Sequence, residues 1–199
     1  MSARDLVVSL QAAAAARPGR VLGDEDRMTA VRGLPTAWRR PGRAQWIGLS
    51  DMHPTAARLA ERLRQRGLEI GVTTLSDSAR TAALAAAALN VEVGQIVKSL
   101  LFLRDGEPVM VLCAGDRRVA AERLGLSPAS AERVREVTGF SIGGIPPLGH
   151  DRELNTIIDE SLRRFDVVWA AAGTPHDVFG VRTEALIEAI PDATVVRVS

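Results

Sequence analysis

The chain has 199 residues, of which 46% are hydrophobic and 25% are charged, and its formal net charge is +1. This composition is typical of a globular protein, so it excludes disorder over most of the chain, and no apolar run has the length of a transmembrane helix. A single cysteine, Cys113, excludes an intrachain disulfide and a cysteine-based metal cluster. Because the net charge is only +1, any contact with nucleic acid must come from a local basic patch.

Residues 1–51 differ from the rest of the chain because they combine a low-complexity alanine run with Pro/Gly turns and lack a periodic apolar pattern. They contain eight arginines and five acidic residues. Three interpretations stay open: a disordered basic arm that contacts RNA, a targeting peptide, or a start site assigned too early, with Met52 as the true initiator. We expect a poorly ordered extension over 1–51 and a folded domain over 52–199.

After Met52 the pattern predicts alternating helices and strands. Residues 53–67 predict a helix, because Pro54 suits its first turn, apolar residues recur at helical spacing, and Gly67 suits its C-terminal cap. Residues 68–75 are strand-like, and Asp77 or Ser78 is expected to cap a helix over 79–89. Strands over 95–103 and 108–113 are expected to form a hairpin, because Asp105-Gly106 between them is a hairpin signal.

The second half of the chain predicts four further strands, three helices and one ordered loop. The strands are expected over 155–159, 166–172, 178–181 and 194–198, the helices over 120–124, 129–137 and 183–190, and the loop over 140–150. Many strands joined by hairpins, with helices between them, indicate an α+β fold. Asp159-Glu160 is interpreted as the solvated end of a strand.

Lys98 is the only lysine among the 25 basic residues, which suggests a position where arginine cannot serve. Strand alternation places Lys98 on one apolar face and Ser99 on the other, so this strand is expected to be central and covered on both sides. A neutral, buried lysine acts as a base or nucleophile, whereas an ammonium holds a carbonyl or phosphate oxygen. The alternative is a lysine that snorkels at a strand end.

Two further segments carry candidate site residues. The loop 138–150 contains Gly143, Gly144 and Pro147, and its backbone N–H groups are candidates to hold a carbonyl or carboxylate. The alternative is a structural β-corner. In residues 170–179 a strand ends at Gly173, and a polar turn with His176 follows, where a site residue or a merely solvated turn is expected. The histidines show no metal-ligand spacing, and Cys113 is interpreted as inert core.

These segments, taken together and in this order, resemble the YbaK/EbsC family of aminoacyl-tRNA editing domains associated with prolyl-tRNA synthetase. The resemblance covers nearly all of the chain after Met52. It is carried by Ser78-Ala-Arg-Thr-Ala-Ala, Val93-Gly-Gln-Ile-Val-Lys-Ser-Leu-Leu-Phe102, Val111-Leu-Cys-Ala-Gly115, Thr138-Gly-Phe-Ser-Ile-Gly-Gly-Ile-Pro-Pro-Leu-Gly-His150 and Val168-Trp-Ala-Ala-Ala-Gly-Thr-Pro-His176.

The resemblance implies a mixed, barrel-like β-sheet core surrounded by helices, and hydrolysis in trans of the ester of a mischarged tRNA. It implies tRNA(Pro) carrying cysteine, alanine or another small amino acid as the substrate, and a cytoplasmic protein. Prolyl-tRNA synthetase is a candidate partner, whereas DNA, a membrane, a metal and an organic cofactor are not expected. The family's pocket lysine falls on Lys98, with Ser99 beside it.

The family's Gly-x-x-x-Pro loop falls on Gly143 to Pro147, and its late pocket position falls near His176. As a mechanism, Lys98 would position the substrate, and amides near Gly143 and Gly144 would polarise the ester carbonyl. Water or a nucleophile on the substrate, such as a cysteinyl thiolate, would then attack. Two alternatives stay open: a non-catalytic tRNA- or synthetase-associated binding module with the same fold, and a Schiff-base enzyme that uses Lys98.

Overall fold

A computed structural model of the chain describes residues 45–46, 52–75 and 81–199. The strands of this part are β1 Gln45–Trp46, β2 Val72–Thr74, β3 Val97–Arg104, β4 Glu107–Ala114, β5 Ser127–Pro128, β6 Asn155–Asp159, β7 Val167–Ala171, β8 Asp177–Arg182 and β9 Thr194–Val196. The α-helices are α1 Pro54–Gln65, α2 Ala82–Leu89, α3 Ala131–Thr138 and α4 Thr183–Glu188. Short 3-10 helices span Val93–Gln95, Glu122–Leu124 and Glu160–Arg164.

The strands form two sheets. One is antiparallel with the order β1-β2-β8-β7, and the other is mixed with the order β5-β3-β4-β6-β9, in which β4, β6 and β9 run parallel. The α+β prediction is confirmed. The described residues form no closed barrel, so the barrel-like arrangement stays a prediction. None of the helices in the described part of the chain has the length and apolar character needed to span a bilayer.

Helix α1 follows the predicted pattern closely. It begins at Pro54, where a missing N–H costs nothing, and the His53 side chain accepts the N–H of Thr55. One face of the helix is buried and packs into the main hydrophobic core. Its buried residues are the predicted apolar stripe, Ala56, Leu59, Ala60 and Leu63.

Strands β3 and β4 pair antiparallel over their whole length, from Val97 opposite Ala114 to Arg104 opposite Glu107. The hairpin prediction is confirmed: Asp105 and Gly106 form the turn, and both have positive φ, as a tight hairpin of this kind requires. The strands run one residue further than predicted at the turn, because cross-strand pairing continues up to the turn residues.

Several element boundaries differ from the predictions. Helix α2 begins at Ala82 rather than at residue 79, because the Thr81 hydroxyl caps it by accepting the N–H of Leu84. The predicted capping residues Asp77 and Ser78 lie outside the described residues. The strand expected over 68–75 is only β2, and the helix expected over 120–124 is a single 3-10 turn.

The interpretation of Asp159 as a solvated strand end is wrong. Asp159 is only 1% exposed, and its carboxylate accepts the hydroxyl of Ser161 at 2.8 Å and the N–H of Val198 at 3.4 Å. It therefore starts the 3-10 helix that follows β6 and anchors the C-terminal segment, whose Val198 is fully buried. A strand end is buried here because the chain's last residues cover it.

The domain boundary at residue 52 stays a prediction, because most of residues 1–51 lie outside the described part. Gln45–Trp46, within the predicted extension, forms β1, and this strand pairs with β2 through Gln45 opposite Thr74 and Trp46 opposite Thr73.

Candidate active site

A cleft of about 660 Å³ lies where β3 and β7 separate. Ile96, the residue before β3, forms an isolated parallel bridge with Trp169 of β7, and no further pairing between β3 and β7 is found in the described part of the chain. The gap between them is closed by the start of α2, by the loop before β6 and by the turn between β7 and β8. The cleft's volume is in the range of small-ligand sites. Its lining includes Lys98, Ser99, Gly143, Ile145, Ala170, Ala171, Thr174 and Pro175.

The strand β3 is central in its sheet, as predicted, but part of one edge is open. It lies inside its sheet, between β4 and β5, but β5 pairs only with Phe102 and Leu103. In the described part of the chain, the edge of β3 from Val97 to Leu101 has no neighbouring strand beyond the bridge at Ile96. This open edge borders the cleft, which explains why consecutive β3 residues line it although their side chains alternate between faces.

Lys98 is half-buried at the cleft and lies directly opposite Cys113 of β4. Its ammonium donates a hydrogen bond to the backbone carbonyl of Arg117, in the exposed segment that follows β4. This contact fixes the direction of the side chain. Burial raises the pKa of the Cys113 thiol to about 11, although the nearby Lys98 charge opposes the shift. Cys113 is therefore a protonated core thiol, as predicted.

Ser99 presents an unusual polar group. Its hydroxyl oxygen is buried, and no hydrogen-bond partner for it is found among the described residues. Because side chains alternate along a strand, Ser99 and Lys98 leave β3 on opposite faces, with the open edge between them. The cleft thus has an ammonium on one side of this edge and an unpaired hydroxyl on the other.

The loop 140–150 has two halves with different environments. Ile142 and Gly143 are exposed and line the cleft, together with the buried Ile145. Gly144 packs so closely against the turn before β8 that a Cβ atom would lie 2.9 Å from the backbone of Thr174. The N–H of Gly144 donates to the carbonyl of Ser141. Gly143 therefore faces the cleft, whereas Gly144 joins two of its walls.

The second half of the loop is buried against α1. A Cβ atom on Gly149 would lie 2.5 Å from the Leu59 side chain, and Gly149 has φ +87°. The Gly149 carbonyl accepts a hydrogen bond from Arg62, which also pairs with Asp151 at 2.6 Å. Pro147 belongs to this buried half and does not line the cleft.

His150 ends the buried half of the loop. It is 8% exposed and meets the Phe140 ring edge-on, with 5.8 Å between ring centroids. Burial lowers the pKa of His150 below its usual value, so the ring is neutral in the folded protein at pH 7.

The turn between β7 and β8 is organised by Asp177, which the sequence argument did not single out. Asp177 is 3% exposed, and its carboxylate accepts the hydroxyls of Thr174 at 2.6 Å and Thr74 at 2.5 Å. The Thr174 oxygen in turn accepts the N–H groups of His176 and Asp177. The Thr-x-x-Asp spacing was the signal that could have revealed this turn.

The two predicted residues of this turn lie outside the cleft lining. Gly173 is wedged against Thr55 and Phe140, where a Cβ atom would lie 2.8 Å from the Thr55 side chain. His176 is exposed, and its carbonyl accepts the N–H of Leu75. Thr174 and Pro175, between them, border the cleft instead. The structure thus brings Lys98, Ser99 and Gly143 together.

The cleft has few groups that can perform chemistry. Among the described residues that line it, the side chains with polar atoms are those of Lys98, Ser99, Thr81, Thr174 and Trp169, the last through its indole N–H. No group of three or more potential metal ligands is found in the part of the chain that the structure describes. The arrangement can hold an oxygen through the Lys98 ammonium and backbone donors, and the described residues of its lining include no carboxylate or imidazole.

Comparisons with known proteins point to one family. The model of the aminoacyl-tRNA editing domain family matches residues 76–189. A crystal structure described, provisionally, as a trans-editing enzyme for prolyl-tRNA synthetase has 40% identity and a TM-score of 0.69, over 75% of this chain and 99% of that chain. The uncharacterized protein YwhH of Bacillus subtilis (strain 168) is 31% identical over 127 residues, which are 60% of this chain and 81% of YwhH.

Proline–tRNA ligases also match, over a smaller region. The ligase of Lactobacillus acidophilus is 33% identical over 96 residues, which are 44% of this chain and 17% of the ligase. The chain therefore corresponds to a small part of that enzyme's length.

Proposed function

Because the chain belongs to the aminoacyl-tRNA editing domain family, we propose that it is a trans-acting deacylase that hydrolyses the ester of mischarged tRNA. The proposed substrate is tRNA(Pro) carrying cysteine, alanine or another small amino acid. The observation that carries the proposal is a cleft that is lined by the chain's only lysine, Lys98, together with Ser99 and Gly143. Similarity to proline–tRNA ligases supports tRNA(Pro) as the carrier and prolyl-tRNA synthetase as a partner.

In the proposed reaction the protein positions the ester and stabilises charge, and it supplies no covalent nucleophile. Lys98 holds an oxygen of the aminoacyl end or a phosphate, and backbone N–H groups polarise the carbonyl. Water adds to the carbonyl carbon, the bond to the ribose oxygen breaks, and that oxygen takes up the proton that water loses. A ribose hydroxyl of the tRNA can carry this proton, which suits a cleft whose described lining residues offer no carboxylate or imidazole.

A cysteinyl substrate offers a second route within the same site. Its thiol would lose a proton, the resulting thiolate would attack the carbonyl carbon to form a cyclic thioester, and the ribose oxygen would leave with that proton. This route likewise needs no protein nucleophile.

The proposed preference for small amino acids comes from the space beside β7. Ala170 and Ala171 line the cleft there, and Ala170 is fully buried. One methylene changes binding in such a pocket by only about 1–3 kcal/mol, so contacts with the tRNA are needed as well. Arg117 and Arg118 are exposed next to the carbonyl that holds Lys98, and they are suited to bind phosphates at the mouth of the cleft.

The test is a deacylation panel. Cysteinyl-, alanyl- and seryl-tRNA(Pro), with prolyl-tRNA(Pro) as the correctly charged control, are incubated with the wild type and with Lys98→Ala. We expect the wild type to release at least one mischarged amino acid and to spare proline, and we expect Lys98→Ala to lose that activity. Circular dichroism and thermal melts of both proteins establish that they are folded.

The other outcomes discriminate between the alternatives. Equal release by both proteins would reject the role of Lys98 and keep the deacylase. If the folded wild type released nothing from any charged tRNA, the deacylase would be rejected in favour of a binding module. Borohydride trapping of a carbonyl compound on Lys98, absent in Lys98→Ala, would instead support the Schiff-base enzyme.

A further inference from the structure

The hydrogen-bond pattern of β3 determines which backbone groups face the cleft. The Leu101 carbonyl accepts the N–H of Ala129, and the Leu103 carbonyl accepts the hydroxyl of Ser127, so both carbonyls point away from β4. In an antiparallel strand these directions alternate by residue, and the β3–β4 register is continuous, without a bulge. The N–H and C=O groups of Val97 and Ser99 therefore point away from β4 as well.

Ser99 lies in the middle of the open edge. The bridge between Ile96 and Trp169 ends one side of this edge, and the pair of Phe102 with Pro128 ends the other. Among the described residues, no strand pairs with Ser99 on the side away from β4, to which its outward N–H and C=O point. Its buried hydroxyl has no recorded partner there either. Three polar groups of one residue thus border a cleft that can hold a small ligand.

The N–H and C=O of Ser99 can both be satisfied by one ligand that offers an acceptor to the N–H and a donor to the C=O at the matching spacing. Another strand residue has this spacing, and so does an aminoacyl ester, whose α-amino group and carbonyl replace the N–H and C=O of a peptide residue. We propose that the aminoacyl group of the substrate binds along the open edge of β3, with its α-amino group donating to the Ser99 carbonyl and its own carbonyl accepting the Ser99 N–H.

This proposal rests on the proposed deacylase function and adds its recognition element. The site recognises the backbone part that all amino acids share, so the edge requires a free α-amino group, whereas side-chain size is sensed elsewhere in the cleft. The Ser99 N–H is a fixed donor at the carbonyl oxygen where negative charge develops during hydrolysis. The β3–β4 ladder holds that donor in place through the neighbouring residues Lys98 and Leu100.

The direct test observes binding without turnover. The protein is labelled with nitrogen-15 and titrated with 3′-(L-alanylamino)-3′-deoxyadenosine, in which an amide replaces the labile ester. We expect the Ser99 amide resonance to shift downfield on binding, together with resonances of the cleft lining. A titration with adenosine alone is the matched control. Binding of the analogue without a shift at Ser99, or an equal shift with adenosine, would overturn the proposal.

The kinetic test removes one hydrogen-bonding group at a time. Ser99→Pro deletes the outward N–H while leaving the β3–β4 ladder intact, and Ser99→Ala keeps the N–H and deletes only the hydroxyl. With the mischarged tRNA(Pro) that the panel identifies, we expect kcat/KM of Ser99→Pro to fall about 10- to 100-fold below that of Ser99→Ala. Equal activity of the two folded variants would contradict the proposal without affecting the deacylase.

A substrate comparison decides the matter if Ser99→Pro does not fold. The wild type is given the mischarged tRNA and its analogue without the α-amino group, which is propionyl-tRNA in the case of alanine. Each rate is divided by the spontaneous hydrolysis of the same ester, because the amino group also activates the ester itself. We expect the analogue's normalised rate to be about 10- to 100-fold lower. Equal normalised rates, with the panel positive, would overturn the proposal and keep the function.

Discussion

The cleft has two kinds of wall, and they are stabilised in different ways. The strand wall, β3, is held by a continuous ladder to β4, and it presents Lys98 and Ser99 to the cleft. The loop walls, residues 140–150 and 173–176, have no ladder, and buried polar groups and close glycine contacts hold them instead. The strand wall supplies the reactive groups, whereas the loop walls supply shape and depend on single contacts.

This difference separates two kinds of damage. A substitution in the strand wall that leaves the ladder intact should reduce activity with little loss of stability. A substitution at a contact that anchors a loop wall should reduce stability first, and activity as a consequence.

The largest expected effect on stability is at the anchor of the first loop. In Gly149→Ala the new methyl group meets Leu59, and the residue must keep a positive φ. Overpacking costs about 1–3 kcal/mol and left-handed backbone about 1–2 kcal/mol, so we expect a loss of about 2–5 kcal/mol in the free energy of unfolding. Denaturant unfolding followed by circular dichroism measures it.

Gly67→Ala is the matched control for that experiment. Gly67 also has a positive φ, of +81°, and follows the C-terminal end of α1, the helix that contains Leu59. A Cβ atom at Gly67 would have no neighbouring atom within 4 Å. It should therefore show only the backbone cost. Equal losses in the two variants would mean that the contact between Gly149 and Leu59 does not anchor the loop.

In the strand wall, Lys98→Arg keeps the positive charge but replaces a compact ammonium by a planar guanidinium. The larger group cannot occupy the same place beside the Arg117 carbonyl. We expect kcat/KM for the mischarged tRNA to fall about 10- to 100-fold, which corresponds to one hydrogen bond to a charged group, with a Tm within a few degrees of the wild type. Full activity of Lys98→Arg would show that charge alone suffices.

At the second loop wall, Asp177→Asn replaces the carboxylate that links Thr174 to Thr74 by an amide with one acceptor oxygen. Weakening these charged hydrogen bonds should lower the free energy of unfolding by about 1–3 kcal/mol. Thr74→Val is the companion variant, because it removes only the link to β2. If the turn positions the substrate, Asp177→Asn should raise KM more than Thr74→Val does, whereas equal KM values would assign Asp177 a purely structural role.

The sequence predicted the strand wall better than the loop walls, for a physical reason. Periodicity and the Asp105-Gly106 signal are local, so β3, its hairpin and the position of Lys98 followed from the sequence. The open edge of β3 did not, because it depends on how far the distant β5 extends along the strand. Apolar residues on both faces are compatible with a covered edge and with an open one.

The loop walls depend on contacts between residues far apart in the sequence. The loop 138–150 was singled out from the sequence, but the contact of Gly149 with Leu59 of α1 joins residues 90 positions apart. The linking role of Asp177 did not follow from the sequence, because its partner Thr74 lies 103 residues away. Pro147, Gly173 and His176 were expected near the substrate, and the fold places them behind or beside the cleft, so their direct contact with substrate stays a prediction.

The smallest expected effect is a pH dependence at the buried end of the first loop. Burial lowers the pKa of His150 in the folded protein, and the backbone groups of Thr138 and Pro146 oppose this shift in part. The charges of Arg66 and Asp151 have smaller effects, of opposite sign. The unfolded chain therefore binds more protons than the folded one below a pH of about 6.5, and stability must fall as the pH falls through this range. Between pH 7 and 5.5 we expect the free energy of unfolding of the wild type to fall by up to about 1 kcal/mol more than that of His150→Gln.

The control is His176→Gln, because His176 is exposed and its replacement should leave the pH dependence of unfolding as in the wild type. Denaturant unfolding at several pH values measures all three proteins. If the free energy of unfolding of His150→Gln changed with pH as in the wild type, the neutral His150 ring against Phe140 would not be the source of acid sensitivity. If the change in the free energy of unfolding with pH disappeared only in His150→Gln, the stability of the buried half of the loop would depend on one uncharged imidazole. The half that lines the cleft contains no titratable side chain and contributes nothing to this pH dependence.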